Sequence, residues 1–152
     1  MASIKFTVDL TGEKQLLKAL NKFIKAGGEL EPALHEIGDL LIGSTQARRT
    51  LEQAPDGTPW EPLSPITIER KGHSRILENT GILFDNLAKQ ITGNELHFGA
   101  TLKDYANMQQ EGGITSPNSM IPNKTIPARP FIGLSESDEI SIVSILKSHL
   151  LD

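Results

Sequence analysis

Proline fixes its own φ, lacks a backbone donor and pushes the preceding residue out of the helical region. Where prolines cluster, neither a long helix nor a central strand can run through. This chain has 152 residues and nine prolines. Pro55, Pro59, Pro62 and Pro65 fall in the stretch APDGTPWEPLSPITIERKGHSR, together with Gly57 and Gly72. Pro117, Pro122, Pro127 and Pro130 fall between the pair Gly112-Gly113 and Gly133. Regular structure is thereby confined to the segments around two irregular excursions, 54–75 and 112–125, in which no hydrophobic period survives. Loops this long inside a compact domain are usually functional or disordered.

Outside the excursions the periods are readable. Ile4, Phe6, Val8 and Leu10 alternate with polar residues, the pattern of a strand with one buried face. In EKQLLKALNKFIK, Leu16, Leu17, Leu20, Phe23 and Ile24 form a helical stripe that Gly27 and Gly28 end. A second helix is expected from Glu31-Pro32 to about Leu51, with Leu30, Leu34, Ile37 and Leu41 at helical spacing. ILENTGILFDNLAKQI reads as helical too, with Thr80 as N-cap and Leu83, Leu87 and Ile91 on one face. Asn94 then turns the chain into the short strand ELHFGA, with Leu96 and Phe98 facing inward, and YANMQQEGG suggests a short helix. At the end, Ser135 and Asp138 have the spacing of a capping box, and Ile140, Val143, Leu146 and Leu150 make the expected buried stripe. Glu136, Asp138 and Glu139 suit that helix's positive start, and Lys147 and His149 its end. The expectation is an α+β fold: a small antiparallel or mixed sheet packed with three to four helices and two long irregular loops, in one domain over 1–152. No internal repeat is present.

Composition and motifs exclude more chemistry than they suggest. A chain without cysteine has no disulfide, thiolate metal site or cysteine nucleophile. The formal charge of −4 argues against a general nucleic-acid binder. No apolar run is long enough to span a membrane, and MASIKFTVDL reads as structure and not as an export signal, so folding in a cytoplasm is expected. His35, His73, His97 and His149 have no zinc-helix spacing, and no G-x-S-x-G elbow occurs. GGITSPN lacks the lysine of a phosphate loop. Asp56-Gly57 lacks the alternating ligands of a calcium loop and reads as a turn, with partner contact as the alternative. The reading from residues is no cofactor, no metal and no catalytic group. A small hydrolase with an unrecognised carboxylate pair, or a nucleic-acid-binding adaptor, is the alternative.

A few side chains invite two readings. Trp60, the single tryptophan, either plugs the edge of its own core over the helix ending near Leu51 or anchors an interface. Arg48-Arg49 read as a solvated helix face, with contact to DNA as the alternative. In IPARPFIG, Pro127 and Pro130 bracket Arg129 and hold it extended, with Phe131 directly behind. The guanidinium, five donors in a rigid fork, suits a clasp on the chain's own carbonyls or a carboxylate, or a contact held out to a partner. The internal clasp is the expectation, since long loops need their backbone groups satisfied. The edge at Pro130-Phe131 is then left open to a partner.

PDGTPW (55–60), ILENTGIL (76–83), HFGA with YANMQQEGG, and IPARPFIGLS (126–135), in that order and spacing, resemble the phage virion morphogenesis family, the tail-completion proteins of Mu-like contractile-tailed phages. The resemblance covers roughly residues 30–150. It implies a non-enzymatic structural protein that completes the tail or neck for head–tail joining, with no cofactor. It also implies phage tail and neck proteins as partners and a homo-oligomer in assembly, without membrane or specific nucleic acid. The implied location is the host bacterial cytoplasm during assembly, or the virion. The two excursions acquire a use as segments that order when subunits meet.

Overall fold

The computed structural model describes residues 12–77, 82–101, 103–118 and 122–151. The strand expected over residues 4–10 and the Thr80 cap lie outside the described residues. The architecture is α+β: helices α1 (Lys14–Lys25), α2 (Glu31–Leu51), α3 (Pro65–Lys71), α4 (Ile82–Asp85), α5 (Lys103–Glu111) and α6 (Glu136–Leu150), with two antiparallel two-stranded ladders. One ladder pairs β1 (Leu87–Thr92) with β2 (Glu95–Ala100); the other pairs β3 (Gly113–Ile114) with β4 (Thr125–Ile126).

α2 is the spine. α6 and the β1–β2 hairpin pack on it, and α1 packs on α6. Along α2 the buried residues Ala33, Ile37, Leu41, Thr45 and Arg48 form one stripe at steps of four and three, with Gly38 buried beside it. Its start is fastened to the hairpin, because Leu30 N–H donates to Asn94 Oδ1 at 3.1 Å. Its end is unusual. Glu52 caps the helix at φ 52° and ψ 46°, a left-handed conformation that costs a side-chain-bearing residue about 1–3 kcal/mol. Two contacts compensate: Glu52 O accepts from Trp60 N–H at 2.9 Å, and its carboxylate accepts from Ile76 N–H at 3.0 Å. The core joins the α2 stripe to Leu16, Leu83, Phe84, Phe98, Phe131, Ile142 and Leu146.

Three expectations are corrected. The helical pattern expected to reach Ile91 ends in the single turn α4, and Leu87–Thr92 is a strand. Leu87 and Ile91 lie one helical turn apart, but four residues also return a strand to the same face. The β2 strand needs a partner for its backbone groups, and the two-residue loop Gly93-Asn94 supplies β1 as that partner, pairing Thr92 with Glu95. Gly93, at φ +59°, occupies the first loop position, where a side chain would be strained.

The second correction is the phase of α6. Its buried residues are Asp138, Ile142 and Leu146, steps of four, while Ile140 is 65% exposed. Apolar residues at 140, 142, 143, 145 and 146 define two overlapping stripes. The choice between them is made by Asp138, which is drawn inward. The third concerns the excursions. The first contains α3, capped by Ser64 Oγ accepting from Thr67 N–H at 3.3 Å, and the second is bracketed by the β3–β4 ladder.

Candidate functional site

Residues 126–133 lie where both excursions, α2, α5 and α6 converge. The segment is extended, yet only Ile126 joins a ladder, so its polar backbone groups need other partners. Side chains supply them. Gln110 Oε1 accepts from both Phe131 N–H and Ile132 N–H, each at 3.0 Å, while its Nε2 donates to Ile132 O at 2.9 Å. One glutamine amide thus takes the place of a neighbouring strand. Trp60 Nε1–H donates to Pro130 O at 2.7 Å, and Arg48 Nη1–H donates to Phe131 O at 3.0 Å. Arg129 N–H completes the set with Gln109 O at 2.7 Å.

Arg129 itself turns inward. It is 6% exposed, and its Nε–H and Nη2–H donate to Glu61 O at 2.8 Å and Pro62 O at 3.1 Å. Burial pushes its pKa down from the ordinary value, with the Glu61 carboxylate pulling the other way. The arginine and Trp60 therefore cross between the same two strips of chain in opposite directions. Arg129 reaches from the 126–133 segment to the 61–62 backbone, and Trp60 reaches back to Pro130. Trp60 is 4% exposed, inside the core. Phe131 is fully buried edge-on against Phe84, with ring centroids 6.0 Å apart. The edge expected to stay open at Pro130-Phe131 is occupied: both backbone groups of Phe131 are bonded within the chain, and Pro130 O is taken by Trp60.

Arg48 was expected on a solvated face and is instead buried, at 4% exposure. Its Nη2–H donates to Asp138 Oδ2 at 2.8 Å and to Ser44 Oγ at 3.2 Å. Burial lowers its pKa, and Asp138, by charge and hydrogen bond, raises it. Asp138 does double duty, because the same Oδ2 accepts from Ser135 N–H at 3.0 Å and closes the capping box at the start of α6. One carboxylate thus fixes α6 to its own N-terminus and to α2. Arg48 carried a signal for this: it continues the Leu41–Thr45 phase of the buried stripe. Gln110 and Glu52 carried none, being ordinary polar residues in helix-end patterns. Arg49 lies with its guanidinium carbon 5.9 Å from the centre of the Phe84 ring.

Asp56 and Gly57 form the exposed turn of the first excursion. Asp56 Oδ1 accepts from Thr58 N–H at 2.9 Å, which holds the carboxyl below its usual pKa, and Gly57 sits at φ +89°. Gly112, at φ +74°, lets α5 end against the segment, since a Cβ there would come within 2.6 Å of Ile126 O.

Between α3 and residues 124–127 the two excursions leave an open cleft of about 630 Å³. Pro62, Leu63, Ile66, Ile126 and Pro127 form much of its wall, Arg129 contributes beside them, and Ile66 is 55% exposed. Among the described residues no group of three or more His, Cys, Asp or Glu is placed to hold a metal ion. Nor is any described helix long and apolar enough to cross a membrane. What the cleft offers is apolar contact with a rigid, side-chain-braced floor.

The model of the phage virion morphogenesis family matches residues 12–151, so it takes in both excursions and the braced segment. The chain is also 30% identical over 129 residues to tail completion protein S of Escherichia phage P2, an alignment that covers 76% of this chain and 80% of that protein. No solved structure matches. A family match running from the start of α1 to the end of α6 settles the membership: the chain belongs to the phage virion morphogenesis family.

Proposed function

We propose that this chain is a non-enzymatic structural protein that completes the head-proximal end of the phage tail, so that the tail can join a filled head. The observation that carries the reading is the family relationship over residues 12–151, together with a relative named for tail completion. The partners are tail and neck proteins, and the cleft between α3 and residues 124–127, with Ile66 exposed on its wall, is the contact offered to one of them. Its floor is preorganised by Arg129, so little ordering entropy is left to oppose binding. The hydrolase alternative needs a carboxylate free to act. The carboxylate buried among the described residues, Asp138, is committed to Arg48 and the helix cap.

The test is electron microscopy of particles assembled without the protein. Tails that accumulate unjoined, and join heads once wild-type protein is supplied, are the expected result. Normal joined particles in its absence would overturn the reading. Ile66→Asp should reduce joining while leaving the melting temperature of the isolated protein unchanged.

A further inference from the structure

Helix α1 carries four lysines and no acidic residue: KQLLKALNKFIK. Lys14, Lys18, Lys22 and Lys25 share one face with Leu17 and Asn21, and together these six line a shallow depression along the helix. Lys14, Lys18 and Lys22 are spaced one turn apart, where like charges repel and weaken a helix. None of the four has an ion-pair partner among the described residues; the one salt bridge at this end joins Glu13 to Lys147 at 2.9 Å. Beside the lysines, Leu17 is 37% and Ile24 42% exposed. The lysines hold the middle of the exposed face of α1, and Leu17 and Ile24 run along one edge of it, so the face offers a basic strip with an apolar border to a partner.

The complement lies on the same chain. With 15 basic and 19 acidic residues, removing the four lysines of α1 leaves 11 against 19, a net −8 for the rest. At the start of α6, Glu136 and Glu139 are exposed around Ile140, itself 65% exposed. Glu139 and Ile140, with Gly12, Glu13, Val143, Ser144 and Lys147, line a second depression. This patch sets two exposed glutamates around an apolar Ile140, its Lys147 being paired with Glu13, and so is opposite in charge to the lysine strip of α1. We infer that the lysine face of α1 on one copy docks on the Glu136–Glu139–Ile140 face of α6 on the next. Two different patches of one chain in contact make a head-to-tail interface, which closes into a ring when the rotation allows. The inference rests on the reading of an assembling structural protein and names the surfaces that assemble.

A charge swap tests it. Lys18→Glu with Lys22→Glu should convert the oligomer of the purified protein to monomer, as read by light scattering across a concentration series. Glu136→Lys with Glu139→Lys should do the same. Mixing the two variants should restore the oligomer, because each then meets an opposite charge. Added salt should weaken the wild-type complex, since exposed charges are screened beyond about 8 Å at physiological ionic strength. Lys18→Gln with Lys22→Gln, which keeps a good helix former at both positions, guards against misfolding and should weaken association without changing helix content. A wild-type chain that stays monomeric throughout overturns the inference. So do reversed variants that associate like wild type, or a mixture that stays monomeric. Lysine reversals that leave self-association intact but abolish binding to tails or to DNA would assign the face to another partner and also overturn it. Tail joining, scored separately, stays available to judge the proposed function if the surface is wrong.

Discussion

In the first proline-rich excursion Ala54 and Trp60 are buried, while in the second no described residue of 112–118 or 122–125 is. Proline content is similar in both, so it does not account for the difference. What differs is the supply of side chains that satisfy irregular backbone. Glu52, just before the first excursion, holds Trp60 through its carbonyl and Ile76, just past the far end, through its carboxylate, and Arg129 grips Glu61 O and Pro62 O. The second is held at its base by β3–β4, and beyond it by local bonds such as Thr115 N–H to Lys124 O at 2.8 Å and Lys124 N–H to Thr115 Oγ1 at 2.8 Å. Irregular chain is held by the groups that bond it. Glu52 and Arg129 do that for the first excursion, and Arg48, Gln110 and Trp60 do it for the 126–133 segment packed beside it, while the second excursion has no such long-range bond among the described residues.

Substitutions should separate the two regions by size of effect. Arg48→Ala removes one member of a buried ion pair and leaves Asp138 charged and Phe131 O unpaired. Loss of one partner from such a pair typically costs about 3–5 kcal/mol. Chemical denaturation of the variant beside wild type should show the largest drop of the series. A loss below 1 kcal/mol would mean that Asp138 finds water and that the brace is weaker than its geometry.

Arg129→Ala comes next. It frees Glu61 O and Pro62 O in a partly buried setting, and the expected loss is about 1–3 kcal/mol. Thermal unfolding reads it directly. An unchanged transition combined with abolished tail joining would show the arginine serving a partner in the assembled particle. The smallest effect belongs to the second excursion: Ile114 is 68% exposed, and Ile114→Ala should change stability by no more than about 0.5 kcal/mol. A larger loss in the isolated chain would show that this excursion is braced after all.

The same physics explains what was legible in the sequence. α1, α2 and α6 announce themselves because apolar period, glycine stop and capping box are local signals, and all three helices lie where these place them. The inward turn of Arg129 follows from the need of a long loop for donors, which proline makes acute by removing its own. The β1 strand was not legible from Leu83, Leu87 and Ile91, since a step of four suits both helix and strand. Its determinant is the Gly93-Asn94 loop together with a β2 edge that must be paired. Arg48 was misread because a charged residue was assigned to the surface by type, whereas its position on the α2 stripe places it inside. The outward rotation of Ile140 was not legible because it depends on Asp138, and Asp138 depends on an arginine 90 residues away. The side-chain pairings of Gln110 and Glu52 are long-range in the same sense, so local pattern carries no trace of them.

Native-state hydrogen exchange resolved by residue tests the contrast most directly. The amides of Trp60, Arg129, Phe131 and Ile132 should exchange slowly, alongside those of Leu41 in α2 and Leu146 in α6, because each is bonded in a buried setting. Amides of Ser116, Asn118, Asn123 and Lys124, whose residues are exposed and whose bonds where present are local, should exchange far faster under the same conditions. Fast exchange at Phe131 and Ile132, matching that of Ser116 and Asn118, would contradict the account, because it would show that the side-chain brace around residues 126–133 does not hold in solution.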